Sequence, residues 1–144
     1  MILADEAATA ALGATLARLL RPGDVVTLSG PLGVGKTALA RSVIGALGYE
    51  GEVPSPTFAI VQPYEQLRPP VWHVDLYRIE EAGELAELGL DSAADSALLV
   101  EWPERAGEGA WPDALRLTLE FGQNGDRILT AAVPPSWLER WPAE

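Results

Sequence analysis

The sequence predicts an α/β fold with three layers, a central mixed β-sheet and a C-terminal β-hairpin. Three observations support this class. Short apolar runs that are typical of buried strands alternate along the chain with segments of helical periodicity. A glycine-rich loop, Gly30–Thr37, joins the first of these runs to a helix. Near the C-terminus, two strand-like segments flank Asn124 and Gly125, a pair that favours a tight hairpin turn.

The first half of the chain predicts a helix, a strand and a second helix. Leucines recur on one helical face within Asp5–Leu20. Val25–Leu28 is an apolar run typical of a buried strand, and it precedes the glycine-rich loop. Thr37–Leu47 predicts a helix that ends at Gly48, because glycine readily adopts the left-handed conformation that closes helices.

The second half of the chain predicts one helix and five strands. Glu80–Leu88 has helical character, and Gly89 closes it. The tail around Trp137 and Trp141 gives no prediction. Strand character occurs in five segments, of which the second and third end in an acid: Phe58–Val61, Val71–Asp75, Ala97–Glu101, Leu115–Phe121 and Ile128–Val133.

Length and composition restrict the class of protein. The chain has 144 residues and no cysteine, which indicates a single domain over residues 1–144 without disulfides or thiolate metal sites. Asp5 and Glu6 lie where a signal peptide needs basic residues. Every apolar run is shorter than the roughly eighteen residues that a membrane span requires. We therefore expect a cytoplasmic protein with no membrane association.

The formal net charge of −11 bears on possible partners. Proteins that capture nucleic acid directly neutralise its phosphates with clustered lysines and arginines. Here the arginines are scattered singly and acids predominate. We therefore expect no strong direct binding of nucleic acid, and any contact with it should be made by another subunit.

The glycine-rich loop carries the most specific motif in the chain. Gly30–Thr37 matches G-x-x-x-x-G-K-[ST], the P-loop motif, at every fixed position. The glycines let backbone N–H groups surround a phosphate, and the helix that follows directs the positive end of its dipole to the same place. The predicted fold is therefore P-loop NTPase-like. We expect nucleotide contacts from Leu32, Gly33, Val34, Gly35, Lys36, Thr37 and Ala38.

Two side chains of the motif have chemical roles. Lys36 is the one lysine in a chain with nine arginines, so a compact, flexible ammonium is retained at this position. It can reach the β- and γ-phosphates of a nucleotide, and we expect it to be a catalytic residue and a surface-loop cation that contributes to ligand affinity and not to the core. The Thr37 hydroxyl can ligate Mg²⁺.

Turnover also requires a carboxylate at the metal and a group that places the attacking water. Asp75 and Glu101 each end an apolar strand, at the sheet edge where a P-loop also opens. Glu101 follows the cleaner apolar run, but either acid could instead cap a strand or pair with an arginine. Thr57 lies on a loop where nucleotide-sensing switches occur, or it is an ordinary threonine in a proline-rich turn.

Two further side chains near these acids have alternative interpretations. His73 shares a strand face with Asp75, and it is either a general base or a histidine satisfied by hydrogen bonds at a sheet edge. The second interpretation fits phosphoryl transfer better, since that reaction depends mainly on positioning and charge. Trp102 directly follows Glu101 and either covers a nucleotide or packs in the core.

Four segments taken together resemble the TsaE family, the ATPase subunit of bacterial tRNA threonylcarbamoyladenosine modification. They are Gly33–Thr37, Ser55–Phe58, His73–Arg78 and Val100–Glu104. The resemblance extends from the first helix to the final hairpin. It implies a P-loop ATPase that uses ATP and Mg²⁺ and acts with the partners TsaB and TsaD. These partners modify the adenosine beside the anticodon, so tRNA would be reached only through them.

The resemblance also implies roles for individual residues. It places Thr57 and Asp75 near the γ-phosphate, and together with the P-loop motif it makes us expect Lys36, Asp75 and Glu101 to be the catalytic residues. It assigns Thr37 and Glu101 to the magnesium ion. Trp102 would lie beside the nucleotide, and Arg127, at the start of the last strand, falls where the family has a residue near the nucleotide.

Three other classes of protein compete with this interpretation. A small-molecule kinase usually carries an arginine-rich lid, and Arg68 and Arg78 are too isolated to indicate one. A GTPase would need an Asn-Lys-x-Asp motif, which is absent because the only lysine lies in the P-loop. A nucleotide-gated binding module would turn over far more slowly than the usual enzyme median of about ten per second.

Overall fold

The described part of the chain forms two α-helices and seven strands. The structure is a computed structural model, and it describes residues 1–51, 53, 61–80, 84, 87–90, 95–107 and 109–141. The helices are α1 (Glu6–Leu19) and α2 (Lys36–Ala46). The strands are β1 (Ile2–Leu3), β2 (Val25–Ser29), β3 (Val61–Tyr64), β4 (Val71–Asp75), β5 (Ala97–Glu101), β6 (Leu115–Phe121) and β7 (Arg127–Ala132).

All seven described strands belong to one mixed sheet, in the order β1-β7-β6-β2-β5-β4-β3. The four central strands, β6, β2, β5 and β4, run parallel to their neighbours within that group. The strands on either side of this group pair antiparallel with it. The parallel strands therefore end at one edge of the sheet, which is where ligands bind in open α/β folds. The predicted α/β class, mixed sheet and C-terminal hairpin are confirmed.

Both faces of the sheet are covered by apolar side chains. Helices α1 and α2 pack against one face, where leucines of β2 and β6 form the larger core with side chains of both helices. The opposite face carries a smaller cluster built from alternate residues of β4 and β5, with Trp102 and Trp111 packed against it. Because side chains alternate along a strand, Asp75 and Glu101 point to the face that carries α2, not to the smaller cluster.

The first two predicted helices and most predicted strands occur within one or two residues of the expected bounds. Helix α1 is capped by Asp5, whose carboxylate accepts a hydrogen bond from the Ala8 N–H at 2.9 Å. In the hairpin turn, Asn124 and Gly125 both have positive φ, as the sequence pair indicates. No described helix is both long enough and apolar enough to cross a membrane.

One predicted helix differs from the structure, one predicted strand is covered only in part by the described residues, and one strand was not predicted. The strand expected at Phe58–Val61 is β3, which begins at Val61; the three preceding residues lie outside the described part. Of the helix expected at Glu80–Leu88, Glu84 is helical, whereas Glu80 lies outside any helix and Glu87 and Leu88 form a turn; residues 81–83, 85 and 86 are not described. Strand β1 was not predicted, because two residues are too few to show a period.

Candidate functional site

The P-loop leaves the carboxyl end of β2 through Gly30, where the backbone passes very close to β6. A Cβ at Gly30 would lie 2.4 Å from the carbonyl oxygen of Leu119, and φ at this glycine is +142°. Gly33 and Gly35 also have positive φ, at +79° and +112°, but a Cβ on either would point into open space. The glycines are therefore required for the path of the backbone, and at Gly30 for close packing as well.

One residue of the loop anchors it to the core. The Val34 side chain is fully buried in the larger core, and its N–H donates to the Pro31 carbonyl at 3.2 Å. Any ligand contact of Val34 would therefore come from its backbone. Leu32 is the opposite case, with 71% of its surface exposed at the tip of the loop.

Lys36 is almost entirely buried, with 4% of its surface exposed, so the expectation of a surface cation is wrong. Its ammonium donates a hydrogen bond to the Gly30 carbonyl and lies 3.4 Å from the ring centroid of Trp102. Burial lowers the pKa of Lys36 from its ordinary value, against the opposing effect of Glu101 and of two further carboxylates. The chain thus holds a desolvated ammonium inside its P-loop, where it is stabilised by a carbonyl and an aromatic face.

Thr37 contacts Glu101 directly. The Thr37 hydroxyl is 2.8 Å from Oε1 and 2.9 Å from Oε2 of Glu101. Helix α2 begins at Lys36 with Gly35 as its N-cap, and no side chain caps this end. The P-loop hydroxyl, the positive end of the α2 dipole and a buried carboxylate therefore meet at one point.

Glu101 and Asp75 are register neighbours in the parallel pair β4–β5, and both are buried, at 2% and 7% exposure. Asp75 accepts a hydrogen bond from the Tyr77 N–H at 2.9 Å. Burial, and next the charge of Glu101, raise the pKa of Asp75, although the Tyr77 hydrogen bond opposes the change. The two acids have different partners. Glu101 contacts the P-loop threonine, whereas Asp75 accepts a hydrogen bond from the backbone that follows its own strand.

His73 lies beneath Glu101 with no surface exposed. Its Nε2 is 2.7 Å from Oε2 of Glu101. Strand β4 lies between β5 and β3 and is not an edge strand, so the expectation of a histidine at a sheet edge is wrong. The expected hydrogen-bonded histidine is found at Nε2 only, since Nδ1 has no hydrogen-bond partner in the described part of the chain.

Trp102 leaves β5 in a left-handed conformation, with φ at 58° and ψ at 49°. The backbone N–H of Trp102 donates to the Leu28 carbonyl at 3.3 Å, and the centroid of its ring lies 4.9 Å from that of the Tyr77 ring. Of the two interpretations of Trp102, core packing is confirmed, and the contact with a nucleotide stays a prediction. It packs against the smaller core cluster, and it also lies beside the phosphate loop over Lys36.

Arg127 joins the C-terminal hairpin to the P-loop. Its Nε donates to the Val34 carbonyl at 3.0 Å, and its guanidinium lies 4.7 Å from the ring centroid of Phe121. Arg127 thus supports the loop from outside. The predicted switch residue Thr57 lies outside the described residues.

A pocket of about 290 Å³ opens between the P-loop and the ends of β4 and β5. Most predicted site residues line it, whereas Val34 and Arg127 do not. Tyr77 lines it as well; the sequence placed Tyr77 in a family segment but gave it no individual role. Its lining residues are Leu32, Gly33, Gly35, Lys36, Thr37, Ala38, Asp75, Tyr77, Glu101 and Trp102.

The donor groups at this pocket are those that Mg²⁺ accepts. Among the described residues, no group of three or more histidines, cysteines and carboxylates is arranged to hold a metal ion. Magnesium needs no such cage, because it keeps several waters and binds through one or two protein oxygens together with phosphates. The Thr37 hydroxyl and the Glu101 carboxylate, in contact beside the phosphate loop, fit this requirement.

Comparison with known proteins identifies relatives over most of the chain. The profile of the family "Threonylcarbamoyl adenosine biosynthesis protein TsaE" matches residues 3–129. The chain is 43% identical to the tRNA threonylcarbamoyladenosine biosynthesis protein TsaE of Streptomyces coelicolor over 136 residues, which cover 90% of this chain and 91% of that protein. It is 35% identical to the protein of the same name from Bacillus subtilis, over 85% of this chain and 77% of that one.

The fold has a counterpart among solved structures. The crystal structure of Bacillus subtilis YdiB superposes with a TM-score of 0.81 at 27% sequence identity. The match covers 96% of this chain and 87% of that chain. The fold is therefore shared over nearly the whole chain.

Proposed function

The chain belongs to the TsaE family of threonylcarbamoyl adenosine biosynthesis proteins, and we propose that it binds and hydrolyses ATP with Mg²⁺ in tRNA threonylcarbamoyladenosine biosynthesis. One observation carries the proposal: the P-loop threonine and the strand-end Glu101 are hydrogen-bonded beside a glycine loop shaped to surround phosphates. A phosphate-binding loop alone does not need a buried carboxylate at its threonine. A magnesium-dependent nucleotide site does.

The phosphates of ATP would lie in the P-loop, at the amino end of α2. Gly33 and Gly35 present no side chain there, and the helix dipole favours negative charge. Lys36 would exchange its contact with the Gly30 carbonyl for the β- and γ-phosphates. Burial makes this exchange favourable, since an ammonium already out of water loses little hydration on meeting a phosphate.

Two carboxylates would have different roles, one in holding the metal ion and the other in orienting the attacking water. Glu101, with Thr37, would hold Mg²⁺, which when bound neutralises charge on the phosphates. Asp75 lines the same pocket and does not contact the P-loop threonine in the described structure, and we assign to it the orientation of the attacking water. Its raised pKa brings it closer to the basicity that proton acceptance requires.

Partners complete the proposed role. Family membership supports action with TsaB and TsaD type subunits, which would hold the tRNA. The net charge of −11 agrees with this division, because the isolated chain lacks a surface that would release counterions from RNA. We place this activity in the cytoplasm. A pull-down from a bacterial lysate, with and without ATP, should recover these two partners.

The rival interpretation as a small-molecule kinase finds little support at the pocket. Among the described residues that line it, Lys36 supplies the positive charge and no arginine is present. A kinase transfers phosphate to an added acceptor, whereas an ATPase releases it into water. Phosphate release without any acceptor therefore separates the two classes.

The test of hydrolysis compares two glutamates three residues apart. Glu101→Ala should lower magnesium-dependent phosphate release by at least about tenfold, because it removes a carboxylate from the metal site. Glu104→Ala is the matched control, since Glu104 is exposed on the short 3-10 helix Pro103–Ala106. Glu104→Ala should lower phosphate release much less than Glu101→Ala does. Equal, small effects of both substitutions would contradict the assignment of Glu101.

A further inference from the structure

The contact between His73 and Glu101 links two buried polar side chains diagonally across neighbouring strands. The register partner of His73 is Leu99, whereas that of Glu101 is Asp75. All four side chains point to the α2 face of the sheet, so His73 lies one step further from the strand ends than Glu101 does. His73 does not line the pocket, and none of its surface is exposed. It has no direct route to a ligand.

Packing alone does not explain a histidine at this position. Its Nδ1 is buried and has no hydrogen-bond partner in the part of the chain that the structure describes. A buried polar atom without a partner is unfavourable relative to an apolar side chain of similar size. The fold nevertheless keeps a ring nitrogen here, and among the described residues the hydrogen-bond partner of this ring is Glu101. An unsatisfied group of this kind calls for a specific explanation.

The Glu101 carboxylate is held from two sides. The Thr37 hydroxyl contacts both of its oxygens, and His73 Nε2 contacts Oε2. An ionised carboxylate only accepts, so we assign the proton of His73 to Nε2. In a magnesium-bound site the Thr37 oxygen would be a metal ligand, and His73 would be the donor that still fixes the carboxylate.

We propose that His73 is a positioning residue, which orients the Glu101 carboxylate for the nucleotide-bound Mg²⁺. The inference rests on the proposed function, since it assumes that Glu101 faces a metal. Donors that hold a metal ligand from behind are worth about 10- to 100-fold in metal affinity. The alternative role of general base is disfavoured because His73 is sealed from the pocket.

The experiment measures binding instead of turnover. ATP is titrated calorimetrically into the full chain at a series of Mg²⁺ concentrations and in EDTA. His73→Leu keeps an apolar side chain in the core but removes the donor, and it should raise the half-saturating Mg²⁺ concentration by about tenfold or more. Affinity for ATP in EDTA should stay unchanged. His73→Gln restores an N–H donor at a similar reach and should recover most of the wild-type Mg²⁺ dependence.

Val71→Ala is the matched control for loss of packing in β4. Val71 is fully buried on the same strand and face as His73, so its truncation weakens the core without removing a donor to Glu101. It should leave the Mg²⁺ dependence of ATP binding unchanged. A shift as large as that of His73→Leu would show that general loosening is the cause, and would overturn the inference.

The remaining outcomes are also decisive. A folded His73→Leu chain with wild-type Mg²⁺ dependence would overturn the inference while leaving the proposed function intact. If the wild type itself bound no ATP, the proposed function would fail and the inference with it. Should His73→Leu not fold, His73→Asn is compared with His73→Gln, because asparagine is polar but too short to reach Glu101. Equal Mg²⁺ requirements for these two variants would overturn the inference, and a higher requirement for asparagine would support it.

Discussion

Asp75 is a carboxylate that the fold keeps out of water beside a second carboxylate, Glu101. Such a group lowers the stability of the fold, because ionisation of a buried acid is unfavourable. The native chain binds the Asp75 proton more tightly than the unfolded chain does. The destabilisation is therefore complete above the folded pKa, and it disappears as pH falls below the ordinary value of 3.8.

We expect Asp75→Asn to raise the free energy of unfolding at pH 7 by about 1 kcal/mol while lowering hydrolysis. Asparagine is neutral, and its side-chain oxygen can still accept the hydrogen bond from the Tyr77 N–H. Urea unfolding of both proteins over a pH series measures the difference, which should shrink on acidification as Asp75 becomes neutral in the wild type. A less stable variant at pH 7, or a difference independent of pH, would show that burial does not disfavour the charge.

At the residue scale, the sequence identified the P-loop and both strand-end acids because each is marked by a local pattern. It misjudged Lys36, since burial of the ammonium depends on Trp102, which approaches from a different strand. It placed His73 on the face of Asp75 but did not pair it with Glu101, because that contact needs the β4–β5 register. Contacts between side chains of different strands cannot be predicted from the spacing of residues along the sequence.

At the scale of elements, the P-loop is fixed between β2, β6 and the C-terminal hairpin. Gly30 allows the backbone to pass against Leu119 of β6, and Arg127 of β7 bonds to the loop carbonyl of Val34. The hairpin thus supports the P-loop as well as extending the sheet. Helix α2 begins directly after the loop, so displacement of the loop would also displace the amino end of this helix.

Two glycines of the same loop test this support. Gly33→Ala should cost about 1–2 kcal/mol of unfolding free energy, the usual penalty of a left-handed residue with free space around it. Gly30→Ala should cost at least about 2 kcal/mol more, because its Cβ would collide with the Leu119 carbonyl. Urea midpoints of the two variants provide the comparison. Equal midpoints would mean that the approach of the loop to β6 is not close in solution.

The extent to which elements were predictable followed their length and regularity. Both helices and the strands β2, β4, β5, β6 and β7 carry a clear period or an apolar run, and each was expected. Strand β1 has two residues and exists only because it pairs with β7, at Ile2 with Ile128 and Leu3 with Arg127. Strand β3 is described over Val61–Tyr64 and contains Pro63, which weakens any local strand signal.

At the scale of the whole molecule, long-range contacts close the chain on itself. Trp137 is fully buried, and Arg140 pairs with Asp24 at 2.6 Å while stacking on the Trp137 ring. The sequence around Trp137 and Trp141 predicts no structure, because Arg140 binds to Asp24, which is more than a hundred residues away in sequence. The overall architecture was nevertheless predictable, since alternation of strands and helices around a P-loop restricts the possible topologies.

The charge of the whole chain leads to a prediction about RNA. At a net charge of −11, the isolated protein should not bind tRNA measurably at physiological salt. Association should appear only when the partner subunits are added. A gel-shift titration of the chain against total tRNA measures this directly. Micromolar binding that weakens steeply with salt would reveal a basic surface on this chain and would contradict the division of labour between subunits.

The central claim is that this chain is a magnesium-dependent ATP-binding protein whose P-loop depends on Lys36. Calorimetric titration of ATP with Mg²⁺ tests it most directly, using the wild type, Lys36→Ala and the control Arg18→Ala. Arg18 is an exposed cation on α1, so the control makes the same change of charge away from the pocket.

We expect the wild type and Arg18→Ala to bind ATP equally, and Lys36→Ala to bind at least about tenfold more weakly while keeping the wild-type circular dichroism spectrum. Undiminished ATP affinity in a folded Lys36→Ala chain, or no ATP binding by the wild type, would contradict the claim.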